Sequence, residues 1–371
     1  MTPRVILPGD ARQYAMLPDP FPMWRGGTLH GARVAYECWG ELNAARDNAV
    51  LLFTGLSPPA HAASSTLNPN AGWWERMIGP GRPIDTERFF VVCVNSLGSC
   101  FGSTGPLSPD PATGLPYRLT FPDLAVEDIA RGGYECIRSL GITQLDSVIG
   151  PSLGGMVVLA FAAQFPGAAR RLACISGTAA ASPFAIALRA LQREAVLRDP
   201  DWQNGEYGPE RLPRTGLRLA RKLGTITYRS AAEWSRRFAR EPLAEGMRRP
   251  GPFAPEFAVE GYLEAQAERF VRQFDANCYL YLSRAMDRFD LAAHGESIES
   301  VLRASELERA LVIGVETDML FAIDEQRELA SAFESAGVPT TLVQMPSIEG
   351  HDAFLVDIPR FGAALEEFLA R

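Results

Sequence analysis

The stretch Gly150-Pro151-Ser152-Leu153-Gly154-Gly155-Met156 decides the reading of this chain. It follows the strand-like run Leu145 to Ile149 and precedes the apolar run Val157 to Ala163, so G-x-S-x-G stands between a strand and a helix. A sharp turn in that position lifts a serine hydroxyl above the sheet edge, where it can reach a carbonyl carbon. The flanking glycines have a steric task, because a Cβ at Gly150 or Gly154 would collide with a neighbouring strand or helix. A helix that starts at Leu153 also points free backbone N–H groups at the site, which suits a developing oxyanion. A glycine-rich turn with a solvated serine shares the bare pattern; the strand before and the helix after favour a nucleophile.

Outward from this turn, strand-like runs recur at Arg33–Cys38, Ala49–Phe53, Phe89–Asn95, Leu172–Ser176, Ala310–Gly314 and Thr340–Gln344. Between some of them lie helical patterns. Asp123 follows Pro122 as an N-cap candidate, and Val126, Ile129, Ala130, Gly133, Ile137 and Leu140 recur at helical spacing before Gly141. Alternating helices and short β-rich strands predict an α/β fold, a mostly parallel sheet with helices on both faces. Residues 1–32 are polar and rich in Pro and Gly, and read as a wrapping arm. From about Ser182 to Ala304 the composition shifts to Arg, Ala, Glu and Leu, with helical runs at Ala185–Leu197, Leu217–Leu223, Ala231–Ala239 and Val259–Phe274. The expected organisation is a core from residues 1–181 and 305–371, with a helical lid over 182–304 that roofs the site.

Composition narrows the functions available. With 371 residues and 47% hydrophobic content, the chain can bury a large core. A net charge of −8 disfavours nucleic acid as a partner. No apolar run is long enough for a membrane span, and Met1-Thr2-Pro3-Arg4-Val5 carries no apolar signal core. The six cysteines are scattered without a Cys-x-x-Cys pair, which points to buried thiols in a reducing compartment rather than disulfides or zinc. A cytoplasmic enzyme without a metal or bound cofactor is expected.

A serine nucleophile needs a positioned base. Of the four histidines, His30 lies in the arm and His294 in the insertion. His351, in Glu349-Gly350-His351-Asp352, follows the last strand, while His61 follows the second core strand and is its rival. An α/β-hydrolase places nucleophile, acid and histidine in that chain order, which favours His351. The acid is expected after the strand Ala310–Gly314, where Asp318 is preferred and Glu316 and Asp324 are neighbours that could serve. The oxyanion hole needs two N–H groups, expected at Leu153 and at Leu56 in Thr54-Gly55-Leu56-Ser57. A plain β-turn is the competing reading of that loop.

Further motifs are Gly72-Trp73-Trp74, Pro83-Ile84-Asp85-Thr86, Cys93-Val94-Asn95, Gly102-Ser103-Thr104-Gly105-Pro106, Thr227-Tyr228-Arg229-Ser230 and Gly350-His351-Asp352. From about residue 30 to the end the chain resembles the homoserine O-acetyltransferase family of α/β-hydrolase-fold acyltransferases. The resemblance implies acyl transfer from an acyl-CoA to the hydroxyl of an amino acid. It carries the nucleophile onto Ser152, the acid onto Asp318 and the base onto His351. It places Arg221, Tyr228 and Asp352 at the acceptor amino acid, where an arginine suits the α-carboxylate and an aspartate the α-ammonium. A homodimer is implied on the same ground.

Departures from the family pattern point to a subgroup. Arg189 falls where the family's acetyltransferases tend to carry a neutral asparagine. A cation near the acyl pocket would suit a donor with a free carboxylate, succinyl-CoA, and a charge-assisted pair worth about 1.5–3 kcal/mol is enough to set donor choice. The bland reading of Arg189 is a solvated charge on the insertion. The loop Ser57-Pro58-Pro59-Ala60-His61 differs from the usual one and resembles that of members acting on serine. Serine and homoserine differ by one methylene, worth about 1–3 kcal/mol, which pocket depth can supply. The expected activity is therefore L-serine O-succinyl transfer for cysteine synthesis. The alternatives are homoserine O-acetyl or O-succinyl transfer, or an esterase of the same fold.

Overall fold

The computed structural model describes residues 11–370. Met1–Val5, where a signal core is judged absent, and the start of the arm lie outside those residues. An eight-stranded sheet organises the chain. Its strands are β1 (Gln13–Met16), β2 (Arg33–Trp39), β3 (Ala49–Phe53), β4 (Phe90–Val94), β5 (Leu145–Pro151), β6 (Ala169–Ile175), β7 (Arg309–Val315) and β8 (Thr340–Met345). They lie in the order β1-β2-β4-β3-β5-β6-β7-β8. The β1–β2 and β2–β4 pairs are antiparallel and the remaining pairs parallel.

Strand periodicity divides the core into two layers. Ala49, Leu51 and Phe53 of β3 join one apolar cluster, while Val50 and Leu52 join the cluster on the opposite face. Both faces are covered, so the strand reads as a continuous apolar run rather than an alternating one. The helix α1 (Val126–Ser139) and the helix α2 (Leu153–Gln164) pack on the first face. On α2 every residue from Leu153 to Ala162 is buried, which fits a helix that is apolar all round.

The arm is more than a wrap. Its segment Gln13–Met16 adds β1 to the sheet edge, with Gln13 opposite Tyr36. Only Ala15 of that strand is buried, and four residues with one inward side chain leave too weak a pattern to read. The N-cap of α1 is Ala125 and not Asp123. Asp128 in the first turn accepts the Ala125 N–H at 2.8 Å, which leaves Asp123 to pair with Arg288 at 3.0 Å.

Between the neighbouring parallel strands β6 and β7 the chain makes a long helical excursion. It contains α3 (Pro183–Leu197), α4 (Arg214–Thr227), α5 (Ala231–Phe238), α6 (Ala258–Val271), α7 (Ala276–Arg288) and α8 (Ile298–Ala304). Ala180 bridges to Asp290, which brings the two ends of α3–α7 together. Beyond that closure α8 packs on α2 and on α9 (Ile323–Ser335). The chain ends in α10 (Ala353–Val356) and α11 (Ile358–Ala370). All six cysteines are free, and no helix among the described residues is long and apolar enough to cross a membrane.

Parallel pairing has a consequence for chemistry. The segments after β3, β5, β7 and β8 all emerge at the same edge of the sheet, the carboxyl ends where open α/β sheets gather their ligands. Those segments begin at Thr54, Ser152, Glu316 and Pro346.

Candidate active site

Ser152 sits between β5 and α2 with φ of 58°, a left-handed conformation that a serine rarely adopts. Close packing enforces it. A Cβ on Gly150 would run into the Gly154 carbonyl oxygen, and one on Gly154 would lie 2.6 Å from the Phe53 oxygen. The two glycines thus let α2 start directly against β5 and β3, and the turn between them carries strain that the packing holds in place.

His351 arrives from the short segment after β8. Its Nε2 lies 2.8 Å from Ser152 Oγ and its Nδ1 lies 2.7 Å from Asp318 Oδ2. Asp318 Oδ1 accepts the N–H groups of Leu320 at 2.8 Å and Phe321 at 3.1 Å, which fixes the carboxylate. Thr317 ties the two loops together, its hydroxyl donating to the Ser347 oxygen at 2.7 Å and accepting the Gly350 N–H at 3.2 Å. The Phe321 ring stacks on the imidazole at 5.1 Å, and Phe354 meets it edge-on at 5.8 Å. Burial by itself would lower the His351 pKa. The charge and hydrogen bond of Asp318 outweigh it, so the net displacement is upward.

The other candidates for acid and base are engaged elsewhere. Glu316 is exposed, and Asp324 is exposed and pairs with Arg327 at 2.6 Å. His61 has both ring nitrogens occupied, Nδ1 by Glu37 at 2.8 Å and Nε2 by the Asn70 oxygen at 2.9 Å. His294 meets Glu127 at 3.1 Å, and His30 meets Asp19 at 2.8 Å.

The segment after β3 passes beside the elbow, since a Cβ on Gly55 would lie 3.9 Å from that of Ser152. Leu56 is the next residue along this segment and is half-buried against the core. The rest of the segment, Ser57 to His61, is anchored from below. Asn95 donates to the Pro58 oxygen at 3.4 Å, and the Trp73 indole donates to the Pro59 oxygen at 3.1 Å. Ser57 and Arg221 line one small cleft of about 110 Å³ together with Phe101, Phe270 and Phe274. A larger cavity of about 390 Å³ between α8 and α9 contains none of the residues singled out from the sequence.

Arg221 lies on α4 with its guanidinium 4.7 Å from the Phe270 ring centre and 5.4 Å from that of Tyr228. Its Nε is buried and has no hydrogen-bond acceptor. Tyr228 stands between this arginine and the imidazole, 5.9 Å from the His351 ring. Burial pushes the Tyr228 phenol up. Asp352 does not pair with Arg221. Its Oδ2 lies 3.3 Å from Arg229 Nε, and its N–H donates to the Tyr228 oxygen at 3.1 Å. Burial raises the Asp352 pKa, opposed by Arg229, His351 and Arg221.

Arg189 is not a solvated surface charge. It is 7% exposed on α3, and its Nε donates to Asp287 Oδ1 at 2.5 Å. Sequence reasoning missed Arg229 and Asp287. Arg229 stands inside a quoted motif, so a signal existed without a role attached to it. Asp287 is 98 residues from Arg189 and belongs to no pattern, so only the packing of α7 on α3 reveals it.

Comparison with known proteins places this geometry. A family model described as the alpha/beta hydrolase fold matches residues 48–357. A protein of Litchfieldella anticariensis named serine O-succinyltransferase is 56% identical, over 97% of this chain and 99% of its own length. One of the same name from Stenotrophomonas maltophilia is 55% identical, over 98% of each. Among solved structures, homoserine O-acetyltransferase from Bacillus anthracis is 28% identical with a TM-score of 0.88, covering 97% of both chains. Esterase E22 is 27% identical with a TM-score of 0.85, covering 96% of this chain and 99% of its own.

Proposed function

We propose that this chain, which belongs to the α/β-hydrolase family and to its homoserine O-acetyltransferase-like branch, moves a succinyl group from succinyl-CoA to the hydroxyl of L-serine. One observation carries the reaction class: the unbroken hydrogen-bonded chain from Ser152 through His351 to Asp318 at the tip of β5. The choice of substrates is supported by the relatives named serine O-succinyltransferase, which match nearly the whole chain.

The route is ping-pong. His351 Nε2 takes the proton of Ser152 Oγ, which attacks the thioester carbon of the donor. Asp318 holds the imidazole with its Nδ1 proton inward and stabilises the imidazolium that forms. The Leu56 and Leu153 N–H groups hold the oxyanion. The tetrahedral centre collapses, the sulfur leaves with the proton from His351 as free CoA thiol, and a succinyl ester remains on Ser152. L-Serine then enters, with its α-carboxylate toward Arg221 and its α-ammonium toward Asp352. His351 removes its hydroxyl proton, the oxygen attacks the ester carbon, and Ser152 departs with that proton. The product is O-succinyl-L-serine, an activated serine suited to cysteine synthesis. Helices α3–α7 keep water from the ester, and Ser57–His61 sets the depth available to the acceptor.

The protein works as a homodimer in the cytoplasm on this reading, without a resident metal or cofactor; sedimentation tests the dimer. Assay of the purified protein with succinyl-CoA or acetyl-CoA against serine or homoserine tests the reaction, with fastest turnover expected for succinyl-CoA and serine. Faster turnover of homoserine would replace the acceptor. Continued CoA release beyond one equivalent per enzyme in the absence of any amino acid would replace transfer by hydrolysis.

A further inference from the structure

We propose that Asp287 is a positioning residue for the acyl donor, holding Arg189 in place while Arg193 keeps the cluster net positive for the donor's distal carboxylate. The inference rests on the donor reading above and goes beyond it to residues on a second helix.

Three side chains form the cluster. Arg189 and Arg193 lie one turn apart on α3, and Asp287 lies on α7. Asp287 Oδ1 accepts from Arg189 Nε at 2.5 Å, and its Oδ2 lies 2.6 Å from Arg193 Nη1 without the alignment of a hydrogen bond. Arg193 Nη1 instead donates to Ser283 Oγ at 2.9 Å. The side chains of Arg189 and Asp287 are each 8% exposed, and that of Arg193 is 19% exposed.

Two features make this more than a strut between helices. First, two guanidinium groups face one carboxylate, so the cluster retains an uncancelled positive charge in a poorly hydrated place. Structural ion pairs are normally balanced, because a buried surplus charge is costly. Second, Arg189 Nη2 is buried and has no acceptor. A buried donor left unpaired also costs free energy, and a ligand oxygen would recover it. Both defects are cured by one anion. Gln192 lies one turn beyond Arg189 on α3, and a Cβ on Gly224 would lie 3.2 Å from both Gln192 Nε2 and Tyr228 Oη, whose ring is 5.9 Å from that of His351, so this buried face of α3 looks toward the reacting centre. A succinyl thioester carries a carboxylate at the far end of the transferred group, and an acetyl thioester does not.

Asp287 contributes orientation. A lone arginine on a helix samples many rotamers, and the short contact to Nε fixes the plane of the guanidinium so that Nη2 stays inside. Arg193 contributes charge. With Asp287 and Arg189 alone the cluster would be neutral.

The test compares kcat/KM for succinyl-CoA and acetyl-CoA in the full-length enzyme with serine as acceptor. Four proteins are needed: wild type, Arg189→Asn, Asp287→Asn and the double variant. Asp287→Asn is expected to lower the succinyl-to-acetyl ratio about tenfold, mainly through the KM for succinyl-CoA. The double variant is expected to show no lower a ratio than Arg189→Asn alone, because Asp287 acts through Arg189. Equal losses on both donors, or independent effects of the two substitutions on the ratio, would overturn the proposal. Should Asp287→Asn fail to fold, Arg193→Gln reads the charge directly at the more exposed member. It is expected to reduce the ratio several-fold, and an unchanged ratio would overturn the proposal as well. If the wild-type enzyme itself prefers acetyl-CoA, the donor reading fails before any variant is compared.

Discussion

His351 Nε2 lies 2.8 Å from Ser152 Oγ although 199 residues separate them in the chain. Parallel strands explain the meeting, since β5 and β8 end at the same edge of one sheet. To accept the serine proton the imidazole must be neutral, and Asp318 raises its pKa above the ordinary 6.5. Activity should therefore fall on the acid side through an apparent pKa higher than that of a free histidine. The acylation half-reaction, read as CoA release in the first turnover, isolates this group from the acceptor site. An acid limb centred below 6.5 would show that Asp318 does not govern the imidazole.

Asp318→Asn should cost about three to four orders of magnitude in kcat. The amide oxygen can still accept the Leu320 and Phe321 N–H groups, so the loop keeps its shape. Its NH₂ group, however, would face His351 Nδ1 and force that nitrogen to accept. The proton then sits on Nε2, which can no longer take one from Ser152. Steady-state turnover together with a thermal melt checks this, with near-normal melting and little turnover as the expected pair.

How much of this was legible in the sequence follows the range of each signal. The elbow was, because strand, glycine pair and helix are contiguous around Ser152. The seven strands of the main sheet after the arm were, because each is a short run rich in apolar and β-branched residues, whether buried on both faces like β3 or at the edge like β8. Its place in the loop after β7 favoured Asp318 only slightly over Glu316 and Asp324, and resemblance fixed the choice; burial and the two backbone N–H groups on Oδ1 separate them physically. Strand β1 was not legible, having one inward residue. Helix α7, in which Cys278 N–H reaches Asp275 at 2.9 Å, hid behind a run already assigned to α6. Arg189 illustrates the deeper limit: whether an arginine is solvated or buried depends on Asp287 from another helix, and no local spacing records that.

Gly150→Ala should destabilise the fold rather than merely slow the reaction. The added methyl would occupy the space of the Gly154 carbonyl, which is backbone and cannot swing aside. Overpacking of this kind costs about 1–3 kcal/mol or more. Chemical denaturation should show a lowered midpoint with an unchanged slope. Gly81→Ala makes a useful contrast, because a Cβ there meets nothing within 4 Å, so only its φ of 62° opposes the substitution and the loss should be smaller.

Arg229→Gln should weaken serine binding in a way that depends on pH. Burial already raises the Asp352 pKa, and Arg229, 3.3 Å away, is the foremost group opposing that rise. Without the guanidinium the carboxyl would hold its proton to higher pH and lose the charge proposed to draw the α-ammonium. The KM for serine should therefore increase near neutrality and recover as pH rises and Asp352 ionises, while the KM for the acyl donor moves far less. Arg229 Nη1 also meets Glu349 at 3.0 Å, so some loss of thermal stability should accompany the change. Arg229→Lys, which keeps the charge, should restore most of the serine affinity. A KM for serine that rises equally at every pH would assign Arg229 to packing alone.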